Sequence, residues 1–440
     1  MISRRDLLRT GAGLAVGAAG LPLIGAGKVA AEATPALKYK PEEGASLRVT
    51  RWSPFVPSEE AAWIANTKKF TQDTGIEVRI DKESWEDIRP KAAVAANVGS
   101  GPDIMWVWFD DPQQYPDKLV DLTDLADYLG GKYGGWYDGP KSYATNDGKF
   151  VGLPIATIGN AIVYRKSIVE KAGFSEFPKD TDSFLKLCQA LKSKGLMPAG
   201  FTHGHGVGDG NNYAHWLLWS HDGKMVDEKS NVTINSPETI EAIKYATELY
   251  KTFIPGTESW LDVNNNRAFL AGQVSVIANG VSAYYAAKND PKLAEIAKDI
   301  GTTNLPVGKS GKDVELHQVT SAVIFKYSKY PNAAKAYLQY MFEKPRMDDW
   351  ITASSAYCCQ TLKAYADNPV WTSDPVNAPY AKASETLRTN GYAGPLGPAS
   401  AAVMADYVLV DMFAEAVTGQ RSPKDAAARA EERAKRYYKT

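Results

Sequence analysis

Four of the five histidines in the chain lie between residues 203 and 221. The pair His203-x-His205 offers two imidazole nitrogens, which are common ligands of zinc and copper. His215 and His221 follow on a predicted helix, and Gly204, Gly206, Gly208, Asp209 and Gly210 surround the first pair. This pattern fits a metal site, a loop that clamps a bound ligand through His205, or a polar loop before the helix. An exported metal-binding protein or metalloenzyme is therefore one candidate function.

Other catalytic patterns are missing from the sequence. It has no Gly-x-Ser-x-Gly at a strand–helix turn, no phosphate-binding P-loop and no His-Glu-x-x-His. Paired carboxylates for glycoside hydrolysis remain an open alternative, because their spacing is set in three dimensions. We predict a protein without catalytic residues, without a cofactor and without a resident metal.

The three cysteines do not suggest a disulfide framework. Cys358 and Cys359 are adjacent, a spacing at which an unstrained disulfide is hard to close. Cys188 lies on a helical pattern and is predicted to belong to the core, although a bridge from Cys188 to a distant partner is the alternative.

The elements that must position a site begin near residue 47. Strand and helix patterns alternate, in the order strand 47–52, helix 58–70, strand 76–80, helix 84–98 and strand 102–108, with Ser58 as the cap of the first helix. This order predicts a doubly wound α/β lobe. In such a sheet, ligands bind outside the carboxyl ends of the strands. The residues that then meet at one edge are Trp52, Ser53, Glu83, Trp85, Trp108 and Asp110.

A second set of elements follows. Its predicted members are strand 161–164, helix 181–194, a helix from Pro237 to 253 capped by Ser236, strand 273–278, strand 318–325 and a last helix capped by Ser422. The sequence shows no repeat of solenoid period.

The amino terminus resembles an export signal. A twin arginine, Arg4-Arg5, precedes an uncharged stretch from Thr10 to Gly27 that contains six glycines and Pro22. This layout is typical of the bacterial twin-arginine route, with cleavage expected after Ala31 and a linker over 32–45. A membrane anchor is the alternative, but the glycines and the proline make it a poor one. We therefore expect a periplasmic protein.

Composition excludes several classes of protein. The chain has 440 residues, more than one compact domain usually holds. Its 50 basic and 51 acidic residues nearly balance, whereas a nucleic-acid-binding protein would normally show a basic excess. We expect no nucleic-acid partner.

Several motifs, in order, resemble the family 1 extracellular solute-binding proteins, the receptors of ABC importers. They are Gly99-Ser100-Gly101-Pro102-Asp103-Ile104 before an aromatic strand, 148–154 with Asn160 and Tyr164-Arg165-Lys166, 267–276, Leu305-Pro306-Val307-Gly308, and Gly419-Gln420-Arg421-Ser422-Pro423. The likeness spans about residues 45 to 438.

The resemblance implies an α/β protein with a two-lobed periplasmic binding protein fold of type II. Two doubly wound lobes would be joined by three crossovers, with a ligand cleft between them. Lobe one would comprise 45–153 plus 306–345, and lobe two 155–303 plus 350–440. The strand after Pro306 would return to the first sheet, and the lobes would close by hinge motion around the ligand.

The resemblance also implies a sugar or polyol ligand, which aromatic rings and hydrogen-bonding side chains would hold. The candidate ligand-binding residues are Trp52, Glu83, Trp108 and Asp110 in lobe one, and Asn160, His205, Asn211, Trp216, Trp260 and Asn279 in lobe two, with Tyr357 from a late helix. For Trp108 the alternative is a core ring, for Asp110 a turn or cap, and for Asn279 a plain turn. Tyr357 lies in a segment, 354–359, that departs from the family's usual loop.

The expected partners are the ligand and the permease subunits of an ABC transporter in the inner membrane. The receptor itself is expected to be a monomer. The sequence leaves the ligand open among monosaccharides, oligosaccharides, polyols and charged derivatives.

Overall fold

The computed structural model describes residues 36–313 and 315–439. The predicted export signal and the first part of the predicted linker lie outside these residues. Strands cover Ser46–Trp52 (β1), Glu77–Glu83 (β2), Ile104–Trp108 (β3), Thr145–Asn146 (β4), Lys149–Phe150 (β5), Leu153–Ile158 (β6), Ala161–Arg165 (β7), Val276–Asn279 (β8), Ile300–Thr303 (β9) and Gln318–Ile324 (β10).

The α-helices alternate with these strands and then dominate the last third of the chain. They cover Pro57–Thr74 (α1), Ile88–Val98 (α2), Thr123–Lys132 (α3), Asp138–Ala144 (α4), Lys166–Ala172 (α5), Thr181–Ser193 (α6), Asp209–Ser220 (α7), Pro237–Tyr250 (α8), Asn264–Leu270 (α9), Ser282–Asn289 (α10), Ala294–Asp299 (α11), Pro331–Met341 (α12), Lys344–Ala353 (α13), Ala383–Thr386 (α14), Pro398–Ala405 (α15), Val408–Val417 (α16) and Pro423–Ala434 (α17). Short 3-10 helices cover Asp111–Gln114, Pro116–Lys118, Thr257–Ser259, Pro291–Leu293, Lys363–Tyr365, Pro369–Trp371 and Pro375–Tyr380.

The first sheet has five strands in the order β2-β1-β3-β10-β6. β1 pairs in parallel with β2 and β3, as the alternation of strands and helices predicts. β10 returns from far along the chain and pairs antiparallel with both β3 and β6. Every residue of β3, β6 and β10 is buried, because helices cover both faces of this part of the sheet. The prediction that the strand after Pro306 joins the first sheet is confirmed.

The second sheet has three strands in the order β8-β7-β9, and both of its pairings are antiparallel. The sequence analysis predicts β7 and β8, although β8 begins at Val276 rather than at residue 273. It does not predict β9, Ile300–Thr303, whose four residues alternate only weakly between apolar and polar. The parallel arrangement expected of a doubly wound lobe is therefore limited to the neighbours β1, β2 and β3.

The helix caps follow the sequence in most places. Ser236 and Ser422 accept hydrogen bonds from the backbone nitrogens of Thr239 and Asp425, as their positions before Pro predict. The predicted cap Ser58 is wrong. The first helix begins at Pro57, and the Ser58 hydroxyl donates instead to the carbonyl of Ala353, 2.6 Å away.

The second helix begins later than its pattern predicts, at Ile88 rather than at Ser84. The residues before it form a turn in which the Ser84 hydroxyl accepts a hydrogen bond from the Asp87 backbone nitrogen at 3.3 Å. This turn carries Trp85 out beyond the end of β2.

Tryptophans dominate the core beside the first sheet. Trp63 and Trp106 lie with their ring centroids 4.5 Å apart, and the Arg51 guanidinium lies 4.4 Å from the Trp106 ring. Arg51 is itself buried and pairs with Glu59 at 2.5 Å, while the Trp350 indole donates to the same carboxylate at 2.6 Å. One buried ion pair thus ties β1, α1 and α13 together.

The three cysteines are free and buried, so the alternative of a bridge from Cys188 is wrong. Within residues 36–313 and 315–439, no helix is long and apolar enough to cross a membrane.

Candidate ligand-binding site

A cavity lies where the ends of β2, β6 and β8 approach the beginning of β10. Its walls come from elements of both sheets and from the late segment around residue 357. The lining residues are Phe55, Trp85, Ile158, Gly159, Gly208, Asp209, Asn212, Asp262, Asn279, Gly280, Ser282, Gln318 and Tyr357. The space open to the centre of a water-sized molecule is only about 30 Å³, which is too little for a sugar ring. A sugar fits here only if the two sides of the cavity move apart.

Three aromatic rings form one wall of the cavity. The centroids of Phe55 and Trp85 are 5.1 Å apart, and those of Phe55 and Tyr357 are 6.4 Å apart. Trp85 and Tyr357 are buried, while Phe55 is partly exposed. Flat apolar faces of this kind can stack on the C–H faces of a sugar ring.

Two carboxylates, Asp209 and Asp262, line the same cavity. Asp262 Oδ1 accepts hydrogen bonds from the backbone nitrogens of Gly208 at 2.9 Å and Asp209 at 2.7 Å. Asp209 Oδ2 accepts one from the Asn265 amide at 2.6 Å. Burial raises the pKa of Asp262 to about 6, with a further contribution from the charge of Glu86. Burial and the charge of Asp262 also raise the pKa of Asp209 well above its usual range.

Several polar atoms around the cavity are buried without a hydrogen-bond partner. They are two acceptors, Asp262 Oδ2 and Asn212 Oδ1, and two donors, Gln318 Nε2 and Trp85 Nε1. A buried polar atom without a partner costs free energy, so such groups normally satisfy each other or a bound molecule. The cavity can therefore both accept hydrogen bonds from a ligand and donate hydrogen bonds to it.

Asn279 ends β8 at the edge of the cavity and belongs to a local amide network. Its Nδ2 contacts Asn266 Oδ1, and its Oδ1 accepts a hydrogen bond from the Gly280 backbone nitrogen at 2.8 Å. The Asn266 amide also donates to the Ser282 hydroxyl at 3.0 Å. These bonds hold Asn279 and Ser282 in place at the cavity wall.

A second polar cluster lies beside the cavity, behind β3. Arg89 and Asp111 form a buried ion pair at 2.5 Å. Asp110 Oδ2 accepts hydrogen bonds from the Asn390 amide at 2.8 Å and the Ser400 hydroxyl at 2.9 Å. Burial raises the pKa of Asp110, and these hydrogen bonds oppose that shift. The cluster connects the loop after β3 to the late helices.

The structure brings two of the predicted site residues, Asn279 and Tyr357, to the cavity wall. Trp52 and Trp108 pack directly behind Trp85, at centroid distances of 5.6 and 4.3 Å, and neither is exposed at all. Both rings therefore belong to the core that supports the site, which is the alternative stated for Trp108.

Three more predicted residues lie close to the cavity without lining it. Asp110 belongs to the cluster with Asn390 and Ser400. Asn160 follows the lining residue Gly159, and its backbone nitrogen donates to His317 Nδ1 at 3.0 Å. Asn211 donates to the carbonyl of Val207 at 3.0 Å and faces a separate small cavity.

The remaining predicted residues are elsewhere. Glu83 is half-buried at the end of β2, where it pairs with the exposed Lys91 and does not line the cavity. Trp216 is buried on α7 and donates to the carbonyl of Pro306 at 2.9 Å. Trp260 packs in the crevice of Gly200 and Gly204. His205, the fourth of these residues, lies beside Asp411 and does not line the cavity.

The four clustered histidines do not converge. His203 Nδ1 lies 3.1 Å from the carbonyl of Phe201, and His205 Nε2 lies 2.7 Å from Asp411 Oδ1. His215 and His221 each face a carbonyl one turn earlier on α7, and burial lowers the pKa of both imidazoles. In the described part of the chain, no group of three or more His, Cys, Asp or Glu side chains is placed to hold a metal.

Sequence reasoning does not assign Phe55, Asp209, Asn212, Asp262 or Gln318 to a site. Asp209 lies in the glycine-rich segment that the histidines single out, so its loop carries a signal. No pattern in the sequence marks Asp262 or Gln318, because each reaches the cavity only through tertiary packing. Trp85 stands in the strand-end group and is the one of that group that reaches the cavity.

The chain matches a family model described as "Bacterial extracellular solute-binding protein" over residues 65–379. A putative binding protein of Brucella abortus is 23% identical over 290 residues, which are 63% of this chain and 66% of that protein. This chain thus spans slightly less than two thirds of that relative. A putative ABC transporter periplasmic-binding protein of Escherichia coli is 22% identical over 320 residues, or 69% of this chain and 70% of that protein.

Solved structures share the two-lobed fold. The maltose-bound MalE3 protein of T. maritima superposes with a TM-score of 0.77 at 20% identity, over 89% of this chain and 99% of that chain. The predicted fold class is confirmed by this likeness. Because the family model covers well over half of the sequence, this chain belongs to the bacterial extracellular solute-binding protein family.

Proposed function

We propose that this chain is the substrate-binding component of an ABC importer and that it captures a sugar or polyol. One observation supports this proposal most directly: the cavity is lined both by the rings of Trp85, Phe55 and Tyr357 and by Asp262 and Asn212, which have unpartnered polar atoms. A cavity that combines aromatic rings with hydrogen-bonding groups suits a molecule with apolar ring faces and hydroxyl edges. The family and the relatives described above support a transport role rather than catalysis.

The capture mechanism requires two bodies that separate. We assign lobe one to the first sheet and lobe two to the second sheet. The bounds expected from the sequence, 45–153 plus 306–345 and 155–303 plus 350–440, need adjustment, because β6 stays in the first sheet as far as Ile158 and Trp350 on α13 donates to Glu59 on α1. Lobe one therefore extends to Ile158 and includes α13, with hinges after Ile158 and near Pro306. Trp85 and Gln318 would then face Asp209 and Asp262 across the cleft. A ligand that contacts both walls favours the closed form by its difference in affinity alone.

The transport role implies a location and partners. The twin arginine at Arg4-Arg5 supports export of the folded protein to the periplasm. The closed form would dock on the permease subunits in the inner membrane, and we expect the receptor to act as a monomer without a cofactor. The dispersed positions of the four histidines argue against the alternative of a metal carrier.

A thermal-shift screen of the purified protein against neutral sugars and polyols tests this function. A ligand present at 100 times its Kd stabilises the protein by about 2.7 kcal/mol, which gives a clear rise in melting temperature. Asn212→Ala should abolish the shift, because Asn212 Oδ1 lines the cavity without a partner. The exposed Asn289→Ala is the matched control. Stoichiometric zinc or copper in the purified protein would contradict the proposal.

A further inference from the structure

The charge of the cavity wall is one-sided. Asp209 and Asp262 both line it, and none of the described lining residues is a lysine, an arginine or a histidine. Both carboxylates are at least nine-tenths buried, and the ion pairs of the described residues include neither of them. A buried carboxylate without a cation beside it either takes up a proton or binds a cation, so this arrangement offers a place for a positively charged occupant that displaces the proton.

The hydrogen-bond inventory points in the same direction. Asp262 uses Oδ1 for two backbone donors and leaves Oδ2 without any, and Asn212 Oδ1 lacks a partner as well. These atoms are acceptors, and an ammonium group offers three donors and no acceptor. Trp85 Nε1 and Gln318 Nε2 are unpartnered donors, which suit the hydroxyls of the same ligand.

The aromatic wall can also accommodate a cation. The faces of tryptophan, tyrosine and phenylalanine rings attract a nearby positive charge, and tryptophan does so best. Trp85, Phe55 and Tyr357 line the same small cavity as the two carboxylates. A cation between these walls would contact both kinds of partner.

The charges around the cavity do not reverse its sign. Glu86 adds a negative charge that acts on Asp262, and the phenol of Tyr407 lies near both of them. Arg89 is the cation on the neighbouring helix α2, and it is paired with Asp111. The field at Asp262 is therefore set by carboxylates.

We propose that the ligand carries a basic nitrogen, as an amino sugar or an amino polyol does, and that its ammonium group lies beside Asp262 and Asp209. This inference rests on the proposed function, because the sugar or polyol scaffold comes from there.

Matched ligand pairs test the charge separately from the scaffold. We would titrate the protein calorimetrically with glucosamine, glucose and N-acetylglucosamine, with galactosamine and galactose, and with 1-amino-1-deoxysorbitol and sorbitol, at a pH that keeps each amine protonated. The amine of at least one pair should bind about ten-fold to one-hundred-fold more tightly than its neutral partners, the range that one charged hydrogen bond contributes.

Two charge-removing variants locate the effect. Asp262→Asn removes the negative charge and should therefore abolish the preference for the amine. The variant should still fold, because the amide oxygen can accept the hydrogen bonds from the Gly208 and Asp209 backbone nitrogens. Asp209→Asn serves as the second variant if the first does not fold. Asp117→Asn, which removes an exposed carboxylate paired only with the adjacent Lys118, should leave the preference unchanged.

The outcomes separate the two proposals. If a neutral sugar or polyol binds as tightly as its amine, the amine inference is overturned while the proposed function stands. If no compound on the panel binds, both are overturned. An amine preference that survives in both Asp262→Asn and Asp209→Asn would place the ammonium elsewhere and overturn the assignment to this cavity.

Discussion

The indole Nε1 of Trp108 donates a hydrogen bond to the backbone carbonyl of Trp85 at 3.1 Å, and the two rings lie 4.3 Å apart. Trp108 is the inner member of this pair and has no exposed surface, whereas Trp85 lines the cavity. The bond fixes the turn after β2 at the end of β3. A buried residue thus holds a ring that lines the cavity.

This relationship predicts different effects for the two tryptophans. Trp85→Ala should weaken ligand binding by about 1.5–3 kcal/mol, the value of burying one large apolar side chain, and keep the fold. Trp108→Ala should lower the free energy of unfolding by about 3–5 kcal/mol, because it empties a core position. Chemical denaturation and calorimetric binding measure the two effects. A Trp108→Ala protein with the stability of the wild type would contradict the core position assigned to Trp108.

The pair also shows how far the sequence alone leads. The strand–helix alternation places Trp52, Trp85 and Trp108 at one edge of the first sheet, and the structure has them there. The strand–helix alternation does not predict which of the three rings lines the cavity, because that depends on where α2 begins. The start of α2 at Ile88 leaves Trp85 in a turn, and this turn is stabilised by tertiary contacts such as the Trp108 bond.

The sequence does not predict that Asp209 and Asp262 lie together, for a related reason. Asp209 begins α7 and Asp262 precedes α9, and the two meet because Asp262 accepts hydrogen bonds from the backbone of Gly208 and Asp209. No local pattern marks such a bond between residues more than fifty positions apart. Asn279, in contrast, is predictable from the sequence, since it directly follows the predicted strand 273–278 and ends β8 in the structure.

The raised pKa of Asp262 predicts a specific pH dependence of stability. Its pKa of about 6 in the folded protein exceeds that of an ordinary aspartate, so the folded state binds this proton more tightly than the unfolded state. Its contribution to stability is therefore present at pH 4 and is lost as the pH rises through 6. The difference in unfolding free energy between wild type and Asp262→Asn should therefore decrease as the pH rises from 4 to 7.

Urea denaturation of ligand-free wild type and Asp262→Asn over that pH range is the measurement. The comparison with the variant is needed because other carboxylates act in the opposite direction. The pKa of Asp81, for example, is lowered by Arg48, so its contribution to the stability of the protein is lost as the pH falls. A constant difference between the two proteins across the range would show that Asp262 is not desolvated in solution.

A methyl group added at Gly208 should hold Gln318 and Asp262 away from the Gly208 backbone. A Cβ there would lie 2.7 Å from Gln318 Oε1 and 3.0 Å from Asp262 Oδ1, which is too close for either atom to stay in place. Gly208→Ala should weaken ligand binding more than ten-fold with little change in the circular dichroism spectrum. Gly131→Ala on α3, where a Cβ meets nothing within 4 Å, is the control and should bind normally. Normal binding by Gly208→Ala would show that Gln318 and Gly208 do not approach each other when ligand is held.

Lobe closure predicts a change of shape on binding. The cavity leaves only about 30 Å³ to the centre of a water-sized molecule, so a sugar-sized ligand enters only when Gln318 and Trp85 move away from Gly208 and Asp262. Small-angle scattering of the ligand-free protein should therefore give a larger radius of gyration than that of the saturated protein, and tryptophan fluorescence should change as Trp85 is enclosed. Gly208→Ala should keep the larger radius even at ligand concentrations that close the wild type. An unchanged radius at saturation would indicate a rigid site, and a receptor that keeps one shape could not signal to a permease that its ligand is bound.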